Sequence, residues 1–224
     1  MEKTEQTPLG KMDTTLLEIY ETLFSFYGDL QWWPAKTPYE VMVGAILTQN
    51  TAWTNVEKAI GRFEGDLSPE RIDHLSLEEL QDLIRPAGFY KQKSKYLKAL
   101  TAWFLAYDCD VKRIQNLRLS DVRKELLGVH GVGNETADSI LLYAFHFPTF
   151  VVDAYTMRLF KRYPLDAGRT YAQVKKFIER RIPADVLMYN RFHALLVQNG
   201  KDHCRKKARC EGCALESSCK KCFD

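Results

Sequence analysis

Apolar residues recur every three or four positions along most of this chain. Leu16, Leu17, Tyr20, Leu23 and Phe24 form one stripe, and Leu75, Leu80, Leu83 and Ile84 form another. Leu97, Leu100, Trp103 and Phe104 repeat the pattern, as do Val174, Phe177 and Ile178. Such spacing gathers side chains on one face of an α-helix. Alternation with period two is nowhere sustained, so the fold class expected is all-α. Breakers punctuate the stripes. Pro34 and Pro38 bracket a loop, Pro86 and Gly88 close a helix over 75–84, and the glycines of 128–133 reverse the chain between two helices. Pro148 ends a further helix, and Pro164 to Gly168 reads as a turn. Roughly nine or ten helices of 8–16 residues follow from these signals. Neither a repeat nor a low-complexity linker is present, so any second domain has to be woven into the first.

Composition changes this picture little, and charge somewhat more. At 224 residues, 46% hydrophobic and 27% charged, the chain can bury one good core or two small ones. The longest apolar runs, 41–47 and 140–147, are too short for a membrane span, and the charged opening is unlike a secretory leader. A soluble cytosolic protein is expected. The net charge of +3 hints only mildly at a polyanionic partner. Its distribution says more, because Lys91, Lys93 and Lys95 cluster, as do Arg205, Lys206, Lys207 and Arg209. Five of the six cysteines lie within the last 21 residues. In a cytosolic chain that crowding indicates a metal or cluster site, not disulfides.

Candidate chemistry concentrates between residues 128 and 156. Gly128, Gly131 and Gly133 allow a tight reversal in which backbone N–H groups approach an anion, and a helix starting near Asn134 adds its positive end. A plain helix–helix turn is the simpler alternative. Asp153 follows the apolar Phe150-Val151-Val152 and precedes a helical stripe, so it reads first as an N-cap. Capping would also hold its carboxylate rigidly, as a group stabilising a developing cation must be held. Trp32, Trp33 and Pro34 stand before one helix and Trp53 at the start of the next. Core packing is the plain reading of these rings.

The segment Gly128-Val-His-Gly131-Val-Gly133-Asn-Glu135-Thr-Ala137, followed by Val151-Val-Asp153, resembles the helix-hairpin-helix DNA glycosylases of the endonuclease III superfamily. Leu47-Thr-Gln-Asn-Thr51 and Gly88-Phe-Tyr-Lys-Gln-Lys93 extend the likeness from about residue 40 to the C-terminus. The Trp-Trp-Pro segment and Trp53 are similar to the base-pocket positions of the 3-methyladenine glycosylase subgroup. The resemblance implies a catalytic role for Asp153, a base pocket of Trp32, Trp33, Pro34 and Trp53, and a gap-filling role for Gln49. DNA contacts are implied for Gly131, Gly133, Asn134, Lys93, Arg205 and Lys206. Bifunctional members carry a lysine at the position of Glu135, and a carboxylate cannot form an imine. A monofunctional enzyme is therefore expected, with alkylated purines such as 3-methyladenine favoured, since a base already carrying positive charge needs no acid to leave. Glu135 and His193 remain possible accessory groups. The subgroup has a functional lysine two residues after its Arg-Phe-His stretch, where this chain has Leu195.

Cys204-x5-Cys210-x2-Cys213-x5-Cys219 looks like the [4Fe–4S] loop of endonuclease III, with the first gap one residue shorter than the family's. Zinc is the alternative, and Cys222 competes with Cys219 as fourth ligand. The resemblance implies two interleaved helical domains. A six-helix barrel would span 37–148 with the helix-hairpin-helix at about 124–146; residues 1–36 and 149–224 would form the N/C-terminal domain with the cysteine loop, the base pocket lying between the two. It also implies a monomer working on double-stranded DNA with damaged bases, prokaryote-like and associated with the nucleoid. Rival readings are an endonuclease III-like enzyme for oxidised or mismatched pyrimidines, and a lesion-binding protein without catalysis.

Overall fold

The computed structural model describes residues 14–163 and 165–223; the charged opening at residues 1–13 and the expected turn residue Pro164 lie outside them. Among the described residues there are twelve α-helices and no strand. The all-α expectation holds, with more helices than the stripes foretold. The additional ones are short: α4 (Pro69–His74) has six residues and α7 (Val111–Gln115) five, and the helix expected near Asn134 is itself brief as α9 (Asn134–Ser139). A helix that short completes too few turns to write a periodic stripe. Among the described residues no helix is long and apolar enough to cross a membrane.

The chain divides into two compact units, Trp33–Thr149 and a second made of Met1–Trp32 with Phe150–Asp224. The first begins with α2 (Pro38–Leu47), which Thr37 caps by accepting from the Glu40 N–H while Pro38 fills the first turn. Tyr39 and every residue from Val41 to Leu47 are buried, so α2 is its central rod, packed against α6 (Tyr90–Leu105) and α9's continuation. Helix α3 (Trp53–Gly61) comes next in the chain, and α5 (Leu77–Ile84) starts in a capping box formed by Ser76 and Glu79. A 3-10 turn over Arg85–Ala87 leads into Gly88, where the backbone turns left-handed. Helix α8 (Leu119–Gly128) runs one residue into the expected glycine turn. Helix α9 then widens into a π-turn over Ile140–Ala144, where a continuous helix to Phe147 was expected.

The second unit contains α1 (Thr14–Tyr27), α10 (Ala154–Arg162), α11 (Tyr171–Glu179) and α12 (Val186–Asp202). Both α1 and α10 pack on α12. Thr170 with Gln173, and Asp185, cap α11 and α12. The extended stretch before α10 has no sheet to pair with. Its backbone is satisfied by side chains instead: Glu179 accepts from the Phe150 N–H at 2.8 Å, and Lys175 donates to the Phe150 carbonyl at 3.1 Å. Phe150, Val151 and Val152 are fully buried, which fixes where the next residue points.

Candidate functional site

That next residue is Asp153, the N-cap of α10. Its Oδ1 accepts from the Thr156 N–H at 2.7 Å and the Thr156 hydroxyl at 3.0 Å. Its Oδ2 lies 3.6 Å from His193 Nε2 on α12. Asp153 is 9% exposed and His193 5%, so the two form a nearly buried pair. Burial pushes the Asp153 carboxyl up, yet the contacts from His193 and Thr156 outweigh it and hold the group below its ordinary value. A rigid, ionised carboxylate results. Leu195, also on α12, is buried in the same unit's core.

In the other unit the hairpin connects α8 to α9. Gly131 has φ +87°, and a β-carbon there would meet Tyr96 Cγ at 2.1 Å. Only glycine fits. Gly133 is different: its backbone is extended and a β-carbon would meet nothing within 4 Å, so its side is open. Gln49, in the turn after α2, donates through Nε2 to the Gly131 carbonyl and to Thr136 Oγ1, both at 3.0 Å. The hairpin and the 48–51 turn are thereby joined. Asn134 is exposed, and its Oδ1 accepts from Arg123, which also grips the fully buried Asp138 in a two-pronged ion pair. Glu135 is an exposed acid in the first turn of α9.

The aromatic candidates separate. Trp33 stacks on Tyr143 of the π-turn at 4.9 Å and 29°, and meets Trp53 edge-on at 5.6 Å. Gly44 of α2 makes room for it, since a β-carbon there would stand 3.3 Å from the Trp33 indole nitrogen. Trp33 holds this position with φ +68°, and Pro34 beside it is exposed. Trp32 belongs to the other unit, with the Lys201 ammonium 5.0 Å from its ring. Tyr143 was not foreseen, because it sits in an apolar run that reads as uniform core. Phe89 was also missed. It is 64% exposed with φ +46°, an apolar residue directly after the breakers Pro86 and Gly88, which was its one visible signal.

One expectation is overturned. Lys93 does not reach solvent, being 2% exposed, and so cannot contact a phosphate. Its ammonium donates to the Leu47 carbonyl and Thr51 Oγ1, each at 2.7 Å, and to the Ala87 carbonyl at 2.9 Å. Burial without a balancing carboxylate lowers its pKa to about 8.

All six cysteines are free thiols. Cys204, Cys210, Cys213 and Cys219 line one cavity beneath α10 and α12, together with Leu159, Asn199 and Leu215; the exposed Cys222 does not. Among the described residues no three His, Cys, Asp or Glu side chains converge as ligands of a single metal ion. Burial, then the neighbouring sulfurs, pushes the Cys213 and Cys219 thiols up. Arg162 donates to Cys204 Sγ at 3.4 Å and to the carbonyls of Arg205 and Lys206 at 2.6 and 2.8 Å. The side chains of Arg205, Lys206, Lys207 and Arg209 face solvent.

Known proteins share this architecture and much of this sequence. A family model described as HhH-GPD superfamily base excision DNA repair protein matches residues 43–184. A putative DNA repair glycosylase of Methanocaldococcus jannaschii is 44% identical over 209 residues, covering 91% of this chain and 95% of that protein. The H. pylori 3-methyladenine DNA glycosylase, solved with 1,N6-ethenoadenine bound, is 27% identical with a TM-score of 0.73, over 83% of this chain and 97% of that one. A trapped covalent intermediate of endonuclease III with DNA gives a TM-score of 0.79 over 93% and 95% of the two chains; at 24% identity this is a likeness of fold.

Proposed function

Because the chain belongs to the HhH-GPD superfamily of base excision DNA repair proteins and is a DNA glycosylase, we propose that it acts on damaged double-stranded DNA, releasing alkylated purines by hydrolysis without cutting the strand. The observation that carries this reading is Asp153, a nearly buried carboxylate held ionised by Thr156 and His193. N-glycosidic cleavage builds positive charge on the sugar, and a fixed negative group stabilises that charge most in the transition state. The bond to C1′ breaks with its electron pair leaving on the base. Water supplies the new C1′–O bond and gives its proton to Asp153. A purine alkylated at N3 or N7 departs neutral, so no second acid is required. Trp33, Trp53 and Tyr143 offer electron-rich faces suited to a cationic ring, worth roughly 0.5–2 kcal/mol over a neutral one. The H. pylori relative was solved with a modified purine bound, in keeping with this substrate class.

Absence of strand cleavage rests on Glu135. An exposed carboxylate occupies the hairpin position where the resemblance puts the lysine of bifunctional members, and it supplies no amine for a Schiff base. DNA would be held by the hairpin around Gly131 and Gly133, by the tips at Gln49 and Phe89, and by Arg205 and Lys206. Cys204, Cys210, Cys213 and Cys219 would hold a [4Fe–4S] cluster. The four share one cavity, and four thiolates are the donor set that such a cluster takes, with zinc the alternative. Cys222, outside that cavity, would be no ligand. Once bound, the cluster would cross-link the 204–219 loop to α10 and α12; a broad visible absorbance with four irons per chain is the expected result.

The test is single-turnover base release from methylated duplex, set beside duplexes carrying thymine glycol, uracil or 8-oxoguanine. Release of methylated purines that Asp153→Asn abolishes, with no adduct trapped by borohydride, is expected. A borohydride-trapped adduct, or release confined to the other lesions, would overturn the proposal.

A further inference from the structure

Lys93 joins the turn that ends α2 to the 3-10 turn, reinforcing the direct bond between them from the Thr51 hydroxyl to the Ala87 carbonyl. Leu47 is the last residue of α2, and Ala87 the last of the 3-10 turn. Carbonyls at helix ends lack intrahelical donors and carry the negative end of the helix dipole. The Lys93 ammonium caps both, at 2.7 and 2.9 Å. Its third bond goes to Thr51 Oγ1, whose own hydrogen reaches the Ala87 carbonyl at 2.5 Å. Just beyond these anchors the chain turns outward in left-handed backbone: Asn50 at φ +51°, then Gly88 and Phe89 at φ +66° and +46°. Gln49 carries the connection on to the hairpin through Gly131 and Thr136.

We propose that Lys93 is a positioning residue, an internal clamp that holds the Gln49 turn and the Phe89 turn in one register so that they engage distorted DNA as a unit. The inference rests on the reading that these tips face DNA, and it adds what keeps them in place. Three acceptors use all three hydrogens of an ammonium. A neutral amine has two, so losing the proton releases one anchor. The titratable side chains on the elements around Lys93 are Tyr39 and Glu40 on α2, Arg85 on the 3-10 turn, and Tyr90, Lys91, Lys95, Tyr96 and Lys98 on α6; α4 and α5, packed against α6, add Glu70, Arg71, Asp73, His74, Glu78, Glu79 and Asp82. None of them bonds to it, and no other charge fixes its state.

The experiment measures full-length protein binding two labelled duplexes, one with a tetrahydrofuran abasic analogue and one intact. The ratio of the two affinities reports how well the tips fill a distorted site, independently of which base is excised. In Lys93→Met and Thr51→Val the ratio should fall about tenfold, the scale of one lost charge-assisted hydrogen bond. The wild-type ratio should decline between about pH 7 and about pH 9.5 and that of Lys93→Met should stay flat, which a general loss of packing would not produce. Gln49→Ala serves as the control. If it loses the ratio while Lys93→Met keeps both the ratio and the wild-type pH profile, the clamp is overturned and the DNA-facing reading stands. If Gln49→Ala keeps the wild-type ratio, that reading falls and the clamp with it. Should Lys93→Met fail to fold, Thr51→Val and the wild-type profile decide, and a profile flat in pH overturns the proposal.

Discussion

Each unit buries an ionisable side chain at a turn, and the two meet opposite fates. Asp153 is 9% exposed and keeps its charge, because two donors from Thr156 and a histidine 3.6 Å away favour the carboxylate. Lys93 is 2% exposed and has only carbonyl and hydroxyl dipoles around it, so burial prevails and its pKa falls to about 8. Removal from water penalises both ions; the difference lies in what faces them. A partner able to carry opposite charge fixes a state suited to stabilising a sugar cation. Neutral dipoles leave a state that a modest rise in pH can change.

The most severe way to break this contrast is Asp153→Asn. The amide still caps α10, so the fold should survive while single-turnover base release falls by about 10³-fold or more. Retained turnover would reduce Asp153 to a cap. Next in size is the pH dependence of stability around Lys93. Its folded pKa, about 8, lies below the unfolded 10.5, so between these values the unfolded chain binds more protons. The wild type should therefore gain stability as pH rises through that window, by at most about 3 kcal/mol, and Lys93→Met should lack the gain. Urea unfolding at several pH values gives the answer, and parallel curves for the two proteins would remove the asymmetry.

The remaining changes are smaller and sharpen the Asp153 side. His193→Leu removes a group that lowers the Asp153 pKa, so the acid limb of the excision rate should move to higher pH; a limb that stays put would show the ring to be packing alone. Thr156→Val deletes one hydroxyl bond and should cost about 1 kcal/mol. A carboxylate with a depressed folded pKa contributes stability above its unfolded pKa and loses it as pH falls through the folded one. The variant should thus lose less stability on acidification than the wild type, as thermal melts below about pH 5 would reveal.

Helices with a full stripe and a cap were legible from the residues alone. α5 announced itself through the stripe of Leu80, Leu83 and Ile84 ahead of Pro86 and Gly88, and α10 through its cap Asp153. The capping role of Asp153 could be read directly; its approach to His193, forty positions later in the chain, could not. The burial of Lys93 is masked in the sequence by its place in a run of alternate lysines, which looks solvated. A sign of its burial was nevertheless present, since it lies four, seven and eleven residues before Leu97, Leu100 and Phe104 on the same helical face, all buried. Lys91 and Lys95 fall off that face and are exposed. Helical register, not local charge density, decides which of these lysines is buried. The pairing of Trp33 with Tyr143 was illegible for another reason: it depends on a departure from α-helical winding that no stripe records.

That departure, the π-turn over Ile140–Ala144, makes chain length there an adjustable variable. Such a turn accommodates one residue more than ordinary winding, so deleting a single residue would restore a continuous α-helix with its ladder of bonds intact. The deletion would also rotate the chain on its N-terminal side against the chain on its C-terminal side by about 100°. Tyr143 would then slide from beneath the indole of Trp33, remodelling the aromatic slot without exchanging any side chain. Insertion and deletion at this one place would be an economical way for a lineage to retune which rings its enzymes accept.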